Sequence, residues 1–287
     1  MNELDVTTTA EDDRLRSEYV RRLHLLDQHV EPAATTTIPR VLVQFWDNAK
    51  AIPADVRECI DSWQPLEEQG FTRLLFDDDT ARDFIVDNFT VKHLEAFVQC
   101  RHPAMRADYF RLCFILKQGG FYVDADDVYR GGSCTGWFRD DRLKLQPLCY
   151  DISSDSMIDP RDFLENPSDS ADRVYYANNN PLIAPPDHPI IRAALARSTR
   201  MLLRRVSNIR DIQSTTGPGN LTTSLVQHAV ECELAGIGSD FAFLTDWGER
   251  TFNKWPLEYR NDQRNWRLWV TATHDQYRLE RRGRSTL

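Results

Sequence analysis

Arg106-Ala-Asp-Tyr-Phe-Arg-Leu-Cys-Phe-Ile-Leu-Lys-Gln-Gly-Gly-Phe-Tyr-Val-Asp-Ala-Asp-Asp-Val-Tyr-Arg130 is the stretch whose reading decides the fold. Tyr109, Leu112, Cys113, Ile115 and Leu116 recur at helical spacing and Pro103 suits a first turn, so a helix is predicted from Pro103 to Lys117. Gly119 and Gly120 end it, because glycine enters the left-handed region without a side-chain clash. Phe121, Tyr122 and Val123 then read as a short buried strand that stops at Asp124-Ala125-Asp126-Asp127. Open α/β sheets bind ligands just beyond such strand ends, and alternation along an extended chain would set Asp124 and Asp126 on one side. Two hard oxygen donors without thiol or imidazole suit Mg2+ or Mn2+ better than zinc, and the ion could hold a diphosphate. Asp108 and Arg111, three apart on the preceding helix, share a face that can turn toward the same cleft. A surface ion pair and an acidic turn would explain an isolated Asp-x-Asp, but the whole constellation is far more specific than the tripeptide.

Working outward, Arg40 to Trp46 gives a first strand of the continuous apolar kind found in parallel sheets. Helices are expected from Pro53 to Trp63, from Asp78 or Asp79 to Asn88, and from Val91 to Cys100, with a strand from Phe71 to Phe76 among them. Lys144 to Tyr150 reads as a strand, and residues 151–170, acidic, serine-rich and broken by Pro160 and Pro167, as an insertion or lid. Two short strands are predicted to flank Asn178-Asn179-Asn180 between Val174 and Ala184, followed by a helix from Pro189 to Arg205. The loop Thr215-Thr216-Gly217-Pro218-Gly219-Asn220 would lead into a helix from Ser224 to Glu233, which makes Thr216 and Gly217 candidates for a phosphate or acceptor. Late strands are expected at Phe241 to Thr245 and Trp266 to Thr273. Strand and helix segments in this order predict an α/β sheet.

Residues 1–37 read as an accessory unit. An amphipathic helix over 11–30, with Leu15, Tyr19, Leu23, Leu26 and Val30 in one stripe, would pack on the main domain or on a second copy as a homodimer. The main domain is placed at 38–287. A net charge of -9 excludes nucleic acid and anionic membranes as main partners, since no broad cationic face exists. Six cysteines at 59, 100, 113, 134, 149 and 232 have no metal-finger spacing and suit reduced thiols in a cytoplasmic protein. No secretory leader and no membrane span is read in the sequence.

Arg-x-Asp-x-x-Arg, a leucine, Gly-Gly and Tyr-x-Asp-x-Asp resemble the DxD-containing sugar-binding region of the family 32 glycosyltransferases, most strongly from Ala104 to Asp126. The resemblance implies a GT-A fold, a Rossmann-like mixed sheet flanked by helices. It also implies transfer of a sugar from a UDP- or GDP-linked donor to a glycan, natural-product or protein acceptor. Ile38-Pro39-Arg40-Val41-Leu42-Val43-Gln44-Phe45-Trp46 is similar to the family's opening strand, with Val43 where the family usually has histidine. On that likeness Gln44 and Trp46 would meet the nucleotide base, Tyr122 would join the donor-binding set, and Asn179 or Asn180 would face the donor sugar or phosphate. Asp108 and Arg111 would grip sugar hydroxyls, Asp124 and Asp126 would hold the ion, and His274 would be a third ligand or a phosphate contact. Asp127 is a further auxiliary candidate. The family implies retention of configuration by front-face transfer. Two other readings stay open. One is a haloacid-dehalogenase-type phosphatase, which lacks here the later lysine and paired-aspartate strand ends it needs; the other is a sugar-nucleotide- or carbohydrate-binding protein without catalysis.

Overall fold

The computed structural model describes residues 10–26, 36–166, 172–204 and 211–269. The chain runs α1 (Ala10–Leu25), β1 (Val41–Phe45), α2 (Ala54–Asp61), β2 (Thr72–Phe76), α3 (Asp78–Asn88), α4 (Val91–Gln99), α5 (Pro103–Gln118) and β3 (Gly120–Tyr122). It continues through β4 (Asp127–Tyr129), β5 (Leu143–Asp151), β6 (Ser156–Ile158), α6 (Pro160–Glu165), β7 (Arg173–Ala184) and α7 (Pro189–Leu203). It ends with α8 (Ile212–Thr215), α9 (Pro218–Ala235), β8 (Phe241–Phe243), α10 (Trp247–Arg250) and β9 (Thr251–Asn253).

The main sheet has seven strands in the order β2-β1-β3-β7-β5-β6, with β8 beside the start of β5. The pairs β1–β2, β1–β3 and β5–β8 are parallel, whereas β7 is antiparallel to both β3 and β5. This is the expected mixed α/β sheet flanked by helices. Alternation along the strands builds two cores. Val43, Tyr122 and Leu182 face a core shared with α3, α4, α5, α7 and α9, while Leu42, Phe121 and Ile183 face Trp63, Trp137, Phe138 and Trp247.

Helix α5 is the central helix, and ten of its sixteen residues are buried, Asp108 and Arg111 among them. His102 caps it by accepting from the Ala104 amide at 3.0 Å, and Pro103 occupies its first turn. Gly119 and Gly120, at φ of 68° and 108°, reverse the chain into β3 as the glycine pair predicts.

Three expectations change. The asparagines lie within one twelve-residue strand, β7, rather than between two strands. Between the pairs Leu145↔Leu182 and Pro147↔Ala177, residues 178–181 oppose Gln146 alone, so β7 bulges at the asparagines. Helix α9 begins at Pro218, not Ser224, because proline is preset for a first turn and Gly217 precedes it as N-cap. Trp266 to Trp269 are helical, not the start of a strand. Residues 151–166 fold into the end of β5, β6 and α6, with Phe163 buried at 1% exposure. In α1, Val20 and Leu23 are buried against the main fold while Leu15 and Leu26 stay exposed; Val30 and His274 lie outside the described residues. All six cysteines are free thiols.

A side chain on Gly120 would sit 2.7 Å from the Val41 carbonyl oxygen, at a φ that L-residues avoid. Gly120→Ala is expected to cost about 2 kcal/mol or more of unfolding free energy. Gly131→Ala has a similar φ of 100° but nothing within 4 Å, so it should cost about 1 kcal/mol from backbone strain alone. Equal urea midpoints for the two variants would show that the Val41 contact does not matter.

Candidate functional site

A cleft of about 800 Å³ opens beyond the C-terminal ends of β1 and β3. Its floor is a buried polar network centred on Arg111. One guanidinium nitrogen donates to the Asn179 carbonyl at 2.7 Å; the other reaches Asp124 Oδ1 at 2.8 Å and Asp108 Oδ1 at 3.0 Å. The guanidinium also lies 4.4 Å over the Tyr122 ring, and Nε is buried with no partner. Asp108 accepts from Asn179 Nδ2 at 2.8 Å and from the Thr216 hydroxyl at 3.1 Å. Burial pushes the Asp108 carboxyl up, with Arg111 holding part of that shift back. Burial opposes the Arg111 charge too, but Asp124 and its other neighbours outweigh that and hold it fully cationic.

The acidic segment is a turn, not an extended strand. The Asp127 amide donates to the Asp124 carbonyl at 3.2 Å, and β4 then pairs with β9 in a separate two-stranded sheet. Asp124 and Asp126 therefore reach one cleft through a tight turn, which also brings in Asp127. Asn180 stitches the turn together: its Oδ1 accepts from the Asp124 amide at 3.0 Å and its Nδ2 donates to Asp127 at 2.6 Å. Asn253 of β9 donates to the other Asp127 oxygen at 3.2 Å. Asp126 accepts from the Tyr259 hydroxyl at 2.7 Å and forms an ion pair with Arg260.

Of the predicted site residues, Trp46, Asp108, Arg111, Asp124, Asp126, Asn179 and Asn180 line the cleft. Trp46 meets Tyr259 edge-on at 5.2 Å between centroids, and its indole N–H is buried without a partner. Gln44, Tyr122, Thr216 and Gly217 do not line it. Gln44 is 2% exposed and donates to the Asp124 carbonyl at 3.4 Å, so it braces the turn from behind. The Tyr122 hydroxyl donates to Asp124 at 3.3 Å, Thr216 to Asp108, and Gly217 caps α9. These four act from behind the surface of the cleft.

The rest of the cleft lining was not among the expected residues. Trp255, Tyr259, Arg260, Arg264 and Arg267 come from the segment after β9, and Arg161 from α6. Their signal was an unusual run of arginines and aromatics from Trp255 to Arg267, without any motif spacing. Among the described residues no group of three or more His, Cys, Asp or Glu stands ready to hold a metal. The oxygen-only set of Asp124 and Asp126 nevertheless fits a hard cation. Burial, with repulsion from Asp126, lifts Asp124 to about 6 even against Arg111. Burial and then repulsion from Asp126 and Asp124 lift Asp127 to about 8.

That excess of buried negative charge has a stability signature. Asp127 keeps its proton in the folded chain up to about pH 8 but loses it above 3.8 when unfolded, so the folded state binds more protons and stability falls as pH rises between these values. The unfolding free energy of Asp127→Asn minus that of wild type, in EDTA, should grow from pH 6.5 to pH 8 by on the order of 1–2 kcal/mol. Buried histidines, which titrate lower, cancel in the difference. A difference that stays flat with pH would refute the burial cost assigned to Asp127.

Residues 53–133 match the family model described as glycosyltransferase sugar-binding region containing DXD motif. The chain is 30% identical over 94 residues to "Uncharacterized glycosyltransferase L373" of Acanthamoeba polyphaga mimivirus, a match spanning 32% of this chain and 37% of that relative. Among solved structures, "PaToxG Glycosyltransferase" superposes with a TM-score of 0.45 at 14% identity, over 78% of this chain and 82% of that one. Residues 53–133, which contain Asp124-Ala125-Asp126, are thus similar to a glycosyltransferase sugar-binding region with a DXD motif, and the chain spans little more than a third of the curated relative it matches.

Proposed function

We propose that this protein transfers a sugar from a nucleoside diphosphate sugar, UDP- or GDP-linked, to an acceptor hydroxyl with help from Mn2+ or Mg2+. The observation that carries this reading is the charge make-up of one cleft, lined both by Asp124, Asp126 and Asp127 and by Arg260, Arg264 and Arg267. Carboxylates suit a divalent ion, and guanidinium groups suit the diphosphate beside it. Trp46 and Trp255 offer ring surface for a base.

Asp124 and Asp126 would hold the ion, which when bound neutralises charge on the departing diphosphate as a Lewis acid. Arg111 keeps the Asp124 carboxylate aimed at the cleft. Asp108 and Asn179 line the floor and present polar atoms to sugar hydroxyls, while Asn180 fixes the acidic turn. On the family resemblance, transfer proceeds on the front face with retention. The acceptor would enter along β5 and β7, where Gln146, Tyr176 and Asn178 line the outer cleft, and Arg161 of α6 makes the lid residues part of its wall.

The phosphatase reading loses ground, because no lysine is among the described residues lining the cleft and Asp124 is paired with Arg111 rather than free to attack. Six free thiols, five of them buried, favour a reducing cytoplasmic site of action. Among the described residues no helix is long and apolar enough to cross a membrane.

Titration calorimetry against UDP- and GDP-sugars, with Mn2+ or EDTA, tests the reading. One donor should bind at least about tenfold more tightly with Mn2+, and Asp126→Asn should lower its turnover or slow hydrolysis by roughly a hundredfold. Binding without any turnover on offered acceptors or water would favour the non-catalytic binder; no binding of any donor would sink the transferase.

A further inference from the structure

Arg260 pairs with one of the two carboxylate oxygens of Asp126, next to any cation that this carboxylate would hold. Its Nη2 pairs with Asp126 Oδ2, and the same nitrogen donates to Asn253 Oδ1 at 2.8 Å. The Tyr259 hydroxyl donates to that same Asp126 oxygen at 2.7 Å. The guanidinium stacks 4.0 Å over Trp255, a residue 58% exposed at the cleft mouth, while its Nε is buried without a partner. A buried N–H with nothing to donate to costs free energy, so this pose leaves part of the arginine's binding capacity unused. The backbone around the pair is well tied: the Lys254 amide donates to the Asp126 carbonyl at 3.0 Å and Asn265 Nδ2 to the Arg260 carbonyl at 2.7 Å. The side chain is therefore the element free to change partner.

We infer that Arg260 is a resident counter-ion of Asp126 that changes partner during the binding cycle. It neutralises Asp126 while no divalent ion is bound, yields the carboxylate when one arrives, and then pairs with the donor's diphosphate. This rests on the transferase reading given above. Oδ2 of Asp126 already serves a guanidinium and a phenol, and a double positive charge on the same carboxylate repels the arginine. A diphosphate offers the displaced guanidinium two acceptor oxygens in the fork geometry it prefers, including a partner for the now orphaned Nε. Arg260 would then act as a positioning and donor-binding residue that makes cation and donor bind cooperatively, each favouring the state the other needs.

The test measures Mn2+ alone first, by the EPR signal of the free ion, on wild type, Arg260→Gln and Arg264→Gln. Arg264 lines the same cleft and its removal changes net charge equally, but it pairs with Asp262 and not with Asp126. Arg260→Gln should bind Mn2+ at least about fivefold more tightly than wild type, and Arg264→Gln should gain clearly less. With Mn2+ saturating, Arg260→Gln should then bind UDP and GDP about tenfold or more weakly than wild type. Arg260→Lys, which keeps a charge and spares the fold, should retain near wild-type Mn2+ affinity yet lose nucleotide affinity with the lost fork. Equal gains in Arg260→Gln and Arg264→Gln would reduce the effect to net charge and overturn the inference. So would unchanged Mn2+ binding, or unchanged nucleotide binding, in Arg260→Gln, with the transferase reading left standing. Failure of wild type and variants alike to bind Mn2+ would remove the inference and the metal-dependent reading together.

Discussion

The buried guanidinium of Arg111 is the contact on which the site depends. Its side chain is 4% exposed, and at that depth an arginine persists only where the surrounding groups replace its lost hydration. Here two carboxylates, one backbone carbonyl and one aromatic face do so. Each belongs to a different part of the chain: Asp108 to α5, Asp124 to the acidic turn, Asn179 to β7, Tyr122 to β3. One side chain thus fixes the relative positions of the central helix and two neighbouring strands, and Asp108 extends the reach through Thr216 to the start of α9. The network stands or falls as a unit, because removing the guanidinium would leave two carboxylates in a low-dielectric floor.

The acidic turn is held with equal completeness through its backbone. The Asp124 amide donates to Asn180 and the Asp124 carbonyl accepts from Gln44 and Asp127; the Asp126 carbonyl accepts from Lys254, and the Asp127 carbonyl from the Trp63 indole at 2.9 Å. The chain can turn there because it leaves the large sheet after β3 and enters the small one at β4, and these backbone groups find partners at the crossing. Carboxylates that repel one another are kept close by these bonds rather than by their own interactions, which is how a fold stores charge for a ligand.

How much of this was readable follows from what each residue depends on. Helix α5, its glycine stop and β3 were legible because spacing, capping and propensity agree locally. The floor residues Asp108, Arg111, Asp124, Asp126, Asn179 and Asn180 were legible as candidates, yet their partners were not. Asp108 and Arg111 pair with each other as an i,i+3 rule allows, but the third partner, Asp124, is set by the sheet. Gln44 and Thr216 were named as ligand contacts and instead support the floor from behind, since their burial depends on which strand lies beside β1 and where α9 begins. Tyr259 and Arg260 were invisible because nothing local announces that β9 will pair with β4 and lay the following segment over Asp126. The bulge at Asn178 to Asn180 likewise needs β5 opposite it.

Net charge also proves a poor guide to the local field. A chain at -9 would not be expected to attract a multiply charged anion, and over long range it repels one. Within the cleft the balance differs, because the segment after β9 adds Arg260, Arg264 and Arg267 to the same lining and pairs Arg260 with Asp126. Close range and low dielectric weight those few charges more than the many screened ones outside. The family-matching stretch of residues 53–133 supplies the acids, and the arginines lie beyond it. The acidic and the basic parts of the cleft lining therefore come from separate parts of the chain, joined by the β4–β9 ladder. Changes to Arg111 or Asn180 would disturb the buried geometry on which the acidic part of that lining relies.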